Sequence, residues 1–310
     1  MRRSGGVMIA SAVVASATCG FLPAARAGGA GASLPSRGVI AFNCESCPSL
    51  PISTIRWNSG TLQLRGDAGP EVRWSPTGPL LAYAGGEIWL GTLDLSVERR
   101  LTKPTRYNGA PPEDAEPAWF PSGKRLVFAR HGGLWTVDSD GRGARVLYAP
   151  PASANVALGD PDVSHDGRRI AFDDSNGHLW VTGQRGLTVW RLGPAGLNGS
   201  NPRWSPDDTR IAYLDGGQTL TVLDLRTNQV HPLGVGTPSS APDGYVGDSY
   251  FSWSPDGRYL AGSTESDYVC GDPNGPCQTM ELWIVNAATG AAHLIYQTPD
   301  GGSIGGVDWR

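Results

Sequence analysis

The chain has 310 residues, with 43 Gly, 25 Pro and 11 Trp, and 25 Lys plus Arg against 29 Asp plus Glu, for a formal net charge of −4. No cluster of Lys and Arg stands out, which excludes the basic stripe that a nucleic-acid partner requires. So much Gly, Pro and Trp, with few Lys, fits many short strands joined by many turns.

In chain order, the first feature is a targeting segment. Arg2 and Arg3 open it, Val7 to Leu22 is apolar and small, and Ala25-Arg26-Ala27 is an A-x-A cleavage site. Residues 1–27 are therefore expected to be a secretory signal peptide and residues 28–37 a flexible Gly/Ala leader. The expected destination is secretion, the periplasm or the cell envelope. No second apolar run is long enough to cross a bilayer, so no membrane span is expected in the mature chain. Roughly 280 residues remain, enough for one large all-β domain or two ordinary ones.

The rest repeats. Trp74-Ser75-Pro76-Thr77-Gly78 precedes Leu80-Leu81-Ala82-Tyr83, and Trp119-Phe120-Pro121-Ser122-Gly123 precedes Leu126-Val127-Phe128-Ala129. Val163-Ser164-His165-Asp166-Gly167 leads to Ile170-Ala171-Phe172, and Trp204-Ser205-Pro206-Asp207-Asp208 to Ile211-Ala212-Tyr213. Trp253-Ser254-Pro255-Asp256-Gly257, before Tyr259-Leu260-Ala261, is the cleanest copy. Pro255 pre-sets φ for a β-turn, Asp256 can bond its own backbone, and Gly257 accepts the positive φ at the exit. A third strand follows in each repeat, as at Ile88-Trp89-Leu90 and Leu282-Trp283-Ile284-Val285, and then a fourth, as at Val146-Leu147-Tyr148. The spacing of roughly 41 to 49 residues is the period of a propeller blade, and four short strands make one blade. The chain ends share one more blade. Val39-Ile40-Ala41-Phe42, Ile55-Arg56-Trp57 and Thr61-Leu62-Gln63-Leu64 supply three of its strands, and Gly306-Val307-Asp308-Trp309-Arg310 the missing first one. The prediction is an all-β, six-bladed β-propeller over residues 38–310, closed by the C-terminal strand pairing with the N-terminal blade.

These turns and the I-A-F/Y strands resemble the WD-like repeats of TolB-type six-bladed β-propellers, over about Gly38 to Arg310. No α/β segment precedes the repeats in this sequence, as one does in TolB. The resemblance implies binding of a partner protein at the mouth of the central channel. It implies no catalytic residue.

Blade-to-blade and second-to-third-strand connections should lie at one face, and most of the long ones are of this kind: Asn43 to Pro51, Thr102 to Glu116, Ala149 to Asp160, Gly193 to Asn201, Gly234 to Ser249 and Thr264 to Thr279. Repeat proteins carry insertions on the working face. Three residues before each repeat aromatic stand Glu71, Glu116, Asp160, Asn201, Tyr250 and Gly306, with Asp114, Asp162, Asp248 and Asp308 close by. Three readings stay open. This is a solvated acidic rim offset by Arg73 and Arg203, a seat for a protein or peptide, or a calcium site built on Glu71, Glu116 and Asp160. Tyr107, Tyr245, Tyr250 and Tyr268, with Asn201, are the partner-binding candidates on this face. Apart from calcium no cofactor is expected, and a monomer is expected.

Cys44, Cys47, Cys270 and Cys277 make an even set in an exported chain, so disulfides are expected. Local bridges Cys44 to Cys47 and Cys270 to Cys277 are favoured, with cross-pairing between the adjacent blades as the alternative. Gly301-Gly302-Ser303-Ile304-Gly305 has the letters of a nucleophile elbow, but no His follows it. His131 and His178 fall near the elaborated face, without metal-ligand spacing. The function expected is non-catalytic binding of a protein or peptide. The alternatives are a lyase or hydrolase with a metal or acid–base site at the channel mouth, or a structural or sensory envelope module.

Overall fold

A computed structural model describes residues 39–44, 52–56, 61–65, 71–92, 97–103, 113–216, 219–233, 250–268, 277–298 and 304–310, with backbone alone for 43–65 and 265–279. The signal peptide and leader, Tyr107, Tyr245, Cys47 and Cys270 lie outside the described residues, and Cys44, Cys277 and Tyr268 are described by backbone only.

The chain is an all-β propeller. Its strands form six four-stranded sheets, and one 3-10 turn at Ala152–Ala154 is the only helical segment among the described residues. The innermost strands are Arg73–Trp74, Asp114–Trp119, Leu158–Val163, Gly199–Trp204, Phe251–Trp253 and Ile304–Trp309. Each packs against the next, and the last packs against the first. The sheet at the chain ends joins Ile304–Trp309 to Val39–Cys44, with Ile40 opposite Trp309 and Ala41 opposite Asp308. Val39 N–H donates to Arg310 O at 2.8 Å, which clamps the end of this ladder.

The recurring turn explains why the motif repeats. In the cleanest copy Gly257 N–H donates to Ser254 O at 2.9 Å, and Gly257 has φ +66°. Ser254 Oγ donates to Asp256 Oδ1 at 2.6 Å and accepts from Tyr259 N–H at 3.0 Å. The same Ser–Asp bracket closes the turns at Ser164 and Ser205. These side chains satisfy the backbone groups a tight turn leaves over.

The core lies between neighbouring sheets. Phe251, Trp253 and Leu260 pack with Ala212, Leu220 and Val222 of the preceding sheet. Ile304, Val307 and Trp309 pack with Tyr259, Ala261 and Ile284 in the same way. Fourth strands such as Glu98–Arg100 are exposed along their length, as outermost strands should be.

One local expectation changes. Thr264 to Thr279 is not all loop. Tyr259–Tyr268 and Cys277–Asn286 are ten-residue strands paired as far as Tyr268 opposite Cys277. The stretch Thr264-Glu265-Ser266-Asp267-Tyr268 is polar, but it faces a register-matched partner, so the ladder runs on. His131 and Gly132, with φ +52° and +71°, form a two-residue hairpin turn between Arg125–Arg130 and Gly133–Asp138. Several inner strands also carry a β-bulge.

Candidate functional site at the inner-strand bulges

In four sheets that bulge carries the residue three before the repeat aromatic. The ladder register slips between Ala115 and Ala118, Gly159 and Asp162, and Ser200 and Arg203. Glu116, Asp160 and Asn201 sit in these slips with φ of +56°, +47° and +57°, and Glu71 has φ +67°. Pro117, Pro161 and Pro202 follow three of them, and a bulge tolerates a residue without a ladder donor. In the last sheet the position is Gly306, with φ +43°. A Cβ there would stand 2.6 Å from Val72 N and 2.7 Å from Glu71 Cα, so only glycine fits.

The bulges link one sheet to the next. Glu116 N–H donates to Glu71 Oε2 at 2.5 Å, and Asp160 N–H donates to Glu116 Oε2 at 2.5 Å. Asn201 N–H turns instead to Asp173 Oδ2 at 2.8 Å. Glu116 Oε2 and Asp173 Oδ1 converge on Gly159, lying 3.1 and 3.2 Å from where its Cβ would be. Any side chain at Gly159 would crowd both carboxylates.

Burial and mutual repulsion dominate the electrostatics. Burial, then the Asp160 charge, raises Glu71 above the usual carboxylate range. Burial, then Asp160 and Glu71, pushes Glu116 up to about 9. Asp173 is pushed up to about 7 by burial and then by Asp160, against the pull of the Asn201 N–H and Arg203. One position before the repeat aromatics, Asp162 and Asp308 are also raised by burial, although Arg203 and Arg73 respectively draw them down. Arg203 Nη2 lies 3.4 Å from Asp160 Oδ1.

Of the sequence candidates, Glu71, Glu116, Asp160 and Asn201 share this end of the inner strands. Tyr250 is half-buried against the Phe42, Tyr259 and Trp309 cluster. Asp114 belongs elsewhere, in a buried fork with Arg130 Nε and Nη2 at 2.5 and 2.6 Å. His178 Nδ1 lies 3.2 Å from Asp174 Oδ2, which also accepts from Trp180 Nε1 at 2.9 Å. Asp173, which the sequence marks only as part of the calcium-loop-like pair Asp173-Asp174, joins the bulge residues from the end of its second strand. Among the described residues no group of three or more His, Cys, Asp or Glu is arranged to hold a metal ion.

Fold and site together define an all-β propeller whose inner strands end in a linked set of buried carboxylates. No family model and no curated protein matches the chain. Among solved structures it is similar to TolB from Acinetobacter baumannii, at 17% identity and a TM-score of 0.64, covering 88% of this chain and 66% of that one. A putative TolB from Agrobacterium tumefaciens matches at 14% identity and a TM-score of 0.60, covering 86% of this chain and 91% of that one. A structure of a nidogen/laminin complex matches at 10% identity and a TM-score of 0.62, covering 88% and 98%. At these identities the likeness shows the fold. The chain spans just under two thirds of the length of the Acinetobacter TolB. Among the described residues no helix is long and apolar enough to cross a membrane.

Proposed function

We propose that the chain is an exported protein, secreted or held in the periplasm or cell envelope, that binds a protein or peptide at the bulge end of its inner strands. In this reading its six sheets are the blades of one ring, and it performs no catalysis of its own. The observation that carries it is the convergence of Glu71, Glu116, Asp160 and Asp173 from three consecutive sheets. Buried carboxylates that repel one another are relieved by an approaching cation, so a Lys or Arg of a partner segment suits them. The long connections would frame such a segment, with Tyr107, Tyr245, Tyr250 and Tyr268 as its aromatic contacts. The disulfides of Cys44, Cys47, Cys270 and Cys277 would hold two of those connections, and a non-reducing peptide map tests them.

The test is fluorescence anisotropy with a labelled Lys-rich peptide and a Glu-rich control. The basic peptide should bind, more weakly as salt is added, and a Glu116→Gln/Asp173→Asn variant should bind it several-fold less tightly. No binding of the basic peptide, or equal binding of both peptides, would remove this reading.

One observation favours a second reading. Glu116 and Asp173 meet over Gly159 with the two carboxyls raised unequally, to about 9 and about 7. Such a pair can hold a proton donor beside a base, the arrangement of a lyase or hydrolase. Turnover lost in Asp173→Asn while peptide binding persists would support it. Calcium at Glu71, Glu116 and Asp160 is tested by titration calorimetry, and no heat with no thermal shift would dismiss it.

A further inference from the structure

One layer along from the bulges, the position just before each repeat aromatic reads Arg73, Ala118, Asp162, Arg203, Ser252 and Asp308. The inner strands carrying these residues touch in cyclic order. Three steps around the cycle take Arg73 to Arg203 and Asp162 to Asp308, so like faces like. Both arginines are more than nine-tenths buried, at 8% and 4% exposure. A guanidinium has five N–H donors in a rigid fork, and a buried one is ordinarily paired. Arg73 makes a single hydrogen bond, from Nη1 to Val72 O at 3.3 Å, and no ion pair among the described residues. Its Nε/Nη2 edge, the side that grips carboxylates in a fork, meets no acceptor among them. Arg203 donates through Nη1 to Pro202 O at 3.0 Å and reaches Asp160, but its buried Nε has no partner among the described residues.

The carboxylates of this layer are turned to the backbone. Asp308 Oδ2 accepts from Trp74 N–H at 2.6 Å, and Oδ1 accepts from Ser252 Oγ at 2.9 Å and Trp309 N–H at 3.1 Å. Asp162 Oδ2 accepts from Trp204 N–H at 2.7 Å. They temper the field of the arginines without occupying their forks. The two guanidiniums also repel each other: after burial, Arg203 is the chief influence drawing Arg73 below the ordinary arginine range. An anion between two such cations removes both penalties.

We propose that Arg73 and Arg203 form an oxyanion site inside the ring, one that takes a monoanionic carboxylate. A doubly charged phosphate would fit the donors but would face Asp162 and Asp308 on either side. The site adjoins the bulge carboxylates through the Arg203–Asp160 contact, but it does not depend on the partner reading.

The test uses the full chain labelled with ¹⁵N and follows the arginine Nε–H signals, assigned with Arg73→Lys and Arg203→Lys. Acetate, titrated against chloride at equal ionic strength, should shift the Arg73 and Arg203 signals saturably. In Arg73→Lys the affinity read at Arg203 should fall by roughly tenfold or more, because Lys keeps the charge but loses the fork. Acetyl-triglycine and its C-terminal amide separate the sources. A shift by the acid but neither the amide nor acetate identifies a chain terminus as the ligand, and a shift by acetate identifies a free small carboxylate. No saturable shift with acetate or the acid, equal shifts with acid and amide, or stronger binding of inorganic phosphate would each overturn the proposal. Should Arg73→Lys not fold, the wild-type titration alone decides.

Discussion

Asp160 is one methylene shorter than Glu71 and Glu116, and that difference breaks the chain of bulge contacts. The two glutamates each span a seam to the next bulge N–H, whereas Asn201 N–H is taken by Asp173. Four carboxyls therefore crowd one place, and their protonation should be read out in stability. Glu116 is raised from 4.5 to about 9, so the folded state holds its proton more tightly than the unfolded chain. The stability this contributes is fully present below the unfolded value and is lost as pH rises through the folded one. Glu116→Gln keeps an oxygen for the Asp160 N–H and removes the ionisation. The melting temperature of the wild type relative to this variant should fall steadily from about pH 5 to about pH 9. A difference that stays constant over that range would show that Glu116 titrates normally. A second residue carries a different balance. Asp208 has φ +57°, where the other turns place glycine at Gly123, Gly167 and Gly257. Its carboxylate accepts from His165 N–H at 2.7 Å and Asp166 N–H at 2.8 Å in the neighbouring turn. Left-handed backbone costs about 1 kcal/mol, while two charge-assisted hydrogen bonds outweigh it even partly exposed. Asp208→Gly should lower the melting temperature and Asp208→Asn should fall between, as thermal denaturation will show; a more stable glycine variant would reverse this ordering.

At the scale of the strand, the repeat aromatic is a seam pin, as its recurrence implies. Trp253 Nε1 donates to Arg203 O of the preceding sheet at 3.0 Å, and Arg210 lies over its ring at 4.7 Å. Trp119 Nε1 donates to Arg73 O at 3.2 Å in the same way. Trp74 and Trp204 keep the stacking role, with Arg310 over Trp74 and Arg169 over Trp204, yet the buried Nε1 groups of Trp74, Trp204 and Trp309 have no acceptor among the described residues. Trp→Phe should therefore cost about 0.5–1.5 kcal/mol more at 119 and 253 than at 74 and 204, because only the first pair loses an indole hydrogen bond. Chemical denaturation of the four variants checks this, and equal losses would mean that ring volume alone decides. This strand scale is also where the sequence was most legible. Trp-Ser-Pro-Asp-Gly fixes the turn chemistry, and the I-A-F/Y runs fix which face is buried, so strand order followed from letters alone. The bulges were not legible, since a positive φ at Glu116 or Asp160 leaves no mark in a hydrophobic pattern; the Pro after three of them was the one available signal. Asp173 could be read only as part of the acidic pair Asp173-Asp174, because its meeting with Glu116 depends on the ladder that sets Gly159 opposite it. The extension of Tyr259–Tyr268 was missed because its outer half is polar.

For the whole molecule, the decisive contact joins the two ends of the chain. Ile304–Trp309 completes the sheet of Val39–Cys44, buries Ile304, Val307 and Trp309 to 2%, 0% and 5% exposure, and sends Asp308 to Trp74 on one side and Ser252 on the other. Gly306 lets this strand approach the Glu71 backbone, and Arg310 closes over Trp74 at 3.7 Å while donating to Gly78 O. One short strand thus takes part in three sheets' packing, and removing it exposes the edge of Val39–Cys44 together with the packed faces of both neighbouring sheets. Deleting residues 305–310 should cost more than any single core truncation, which is about 2–5 kcal/mol, and should depress one cooperative transition rather than create a second. Gly306→Ala is the milder form of the same test. It adds one methyl against backbone that cannot yield and at a φ that disfavours a Cβ, so it too should destabilise, by several degrees in melting temperature. Calorimetry of the two variants reads both effects. An unchanged melting temperature after the deletion would mean that the ring does not depend on its last strand, and a loss confined to a separate low-temperature transition would mean that the sheets fold without closing.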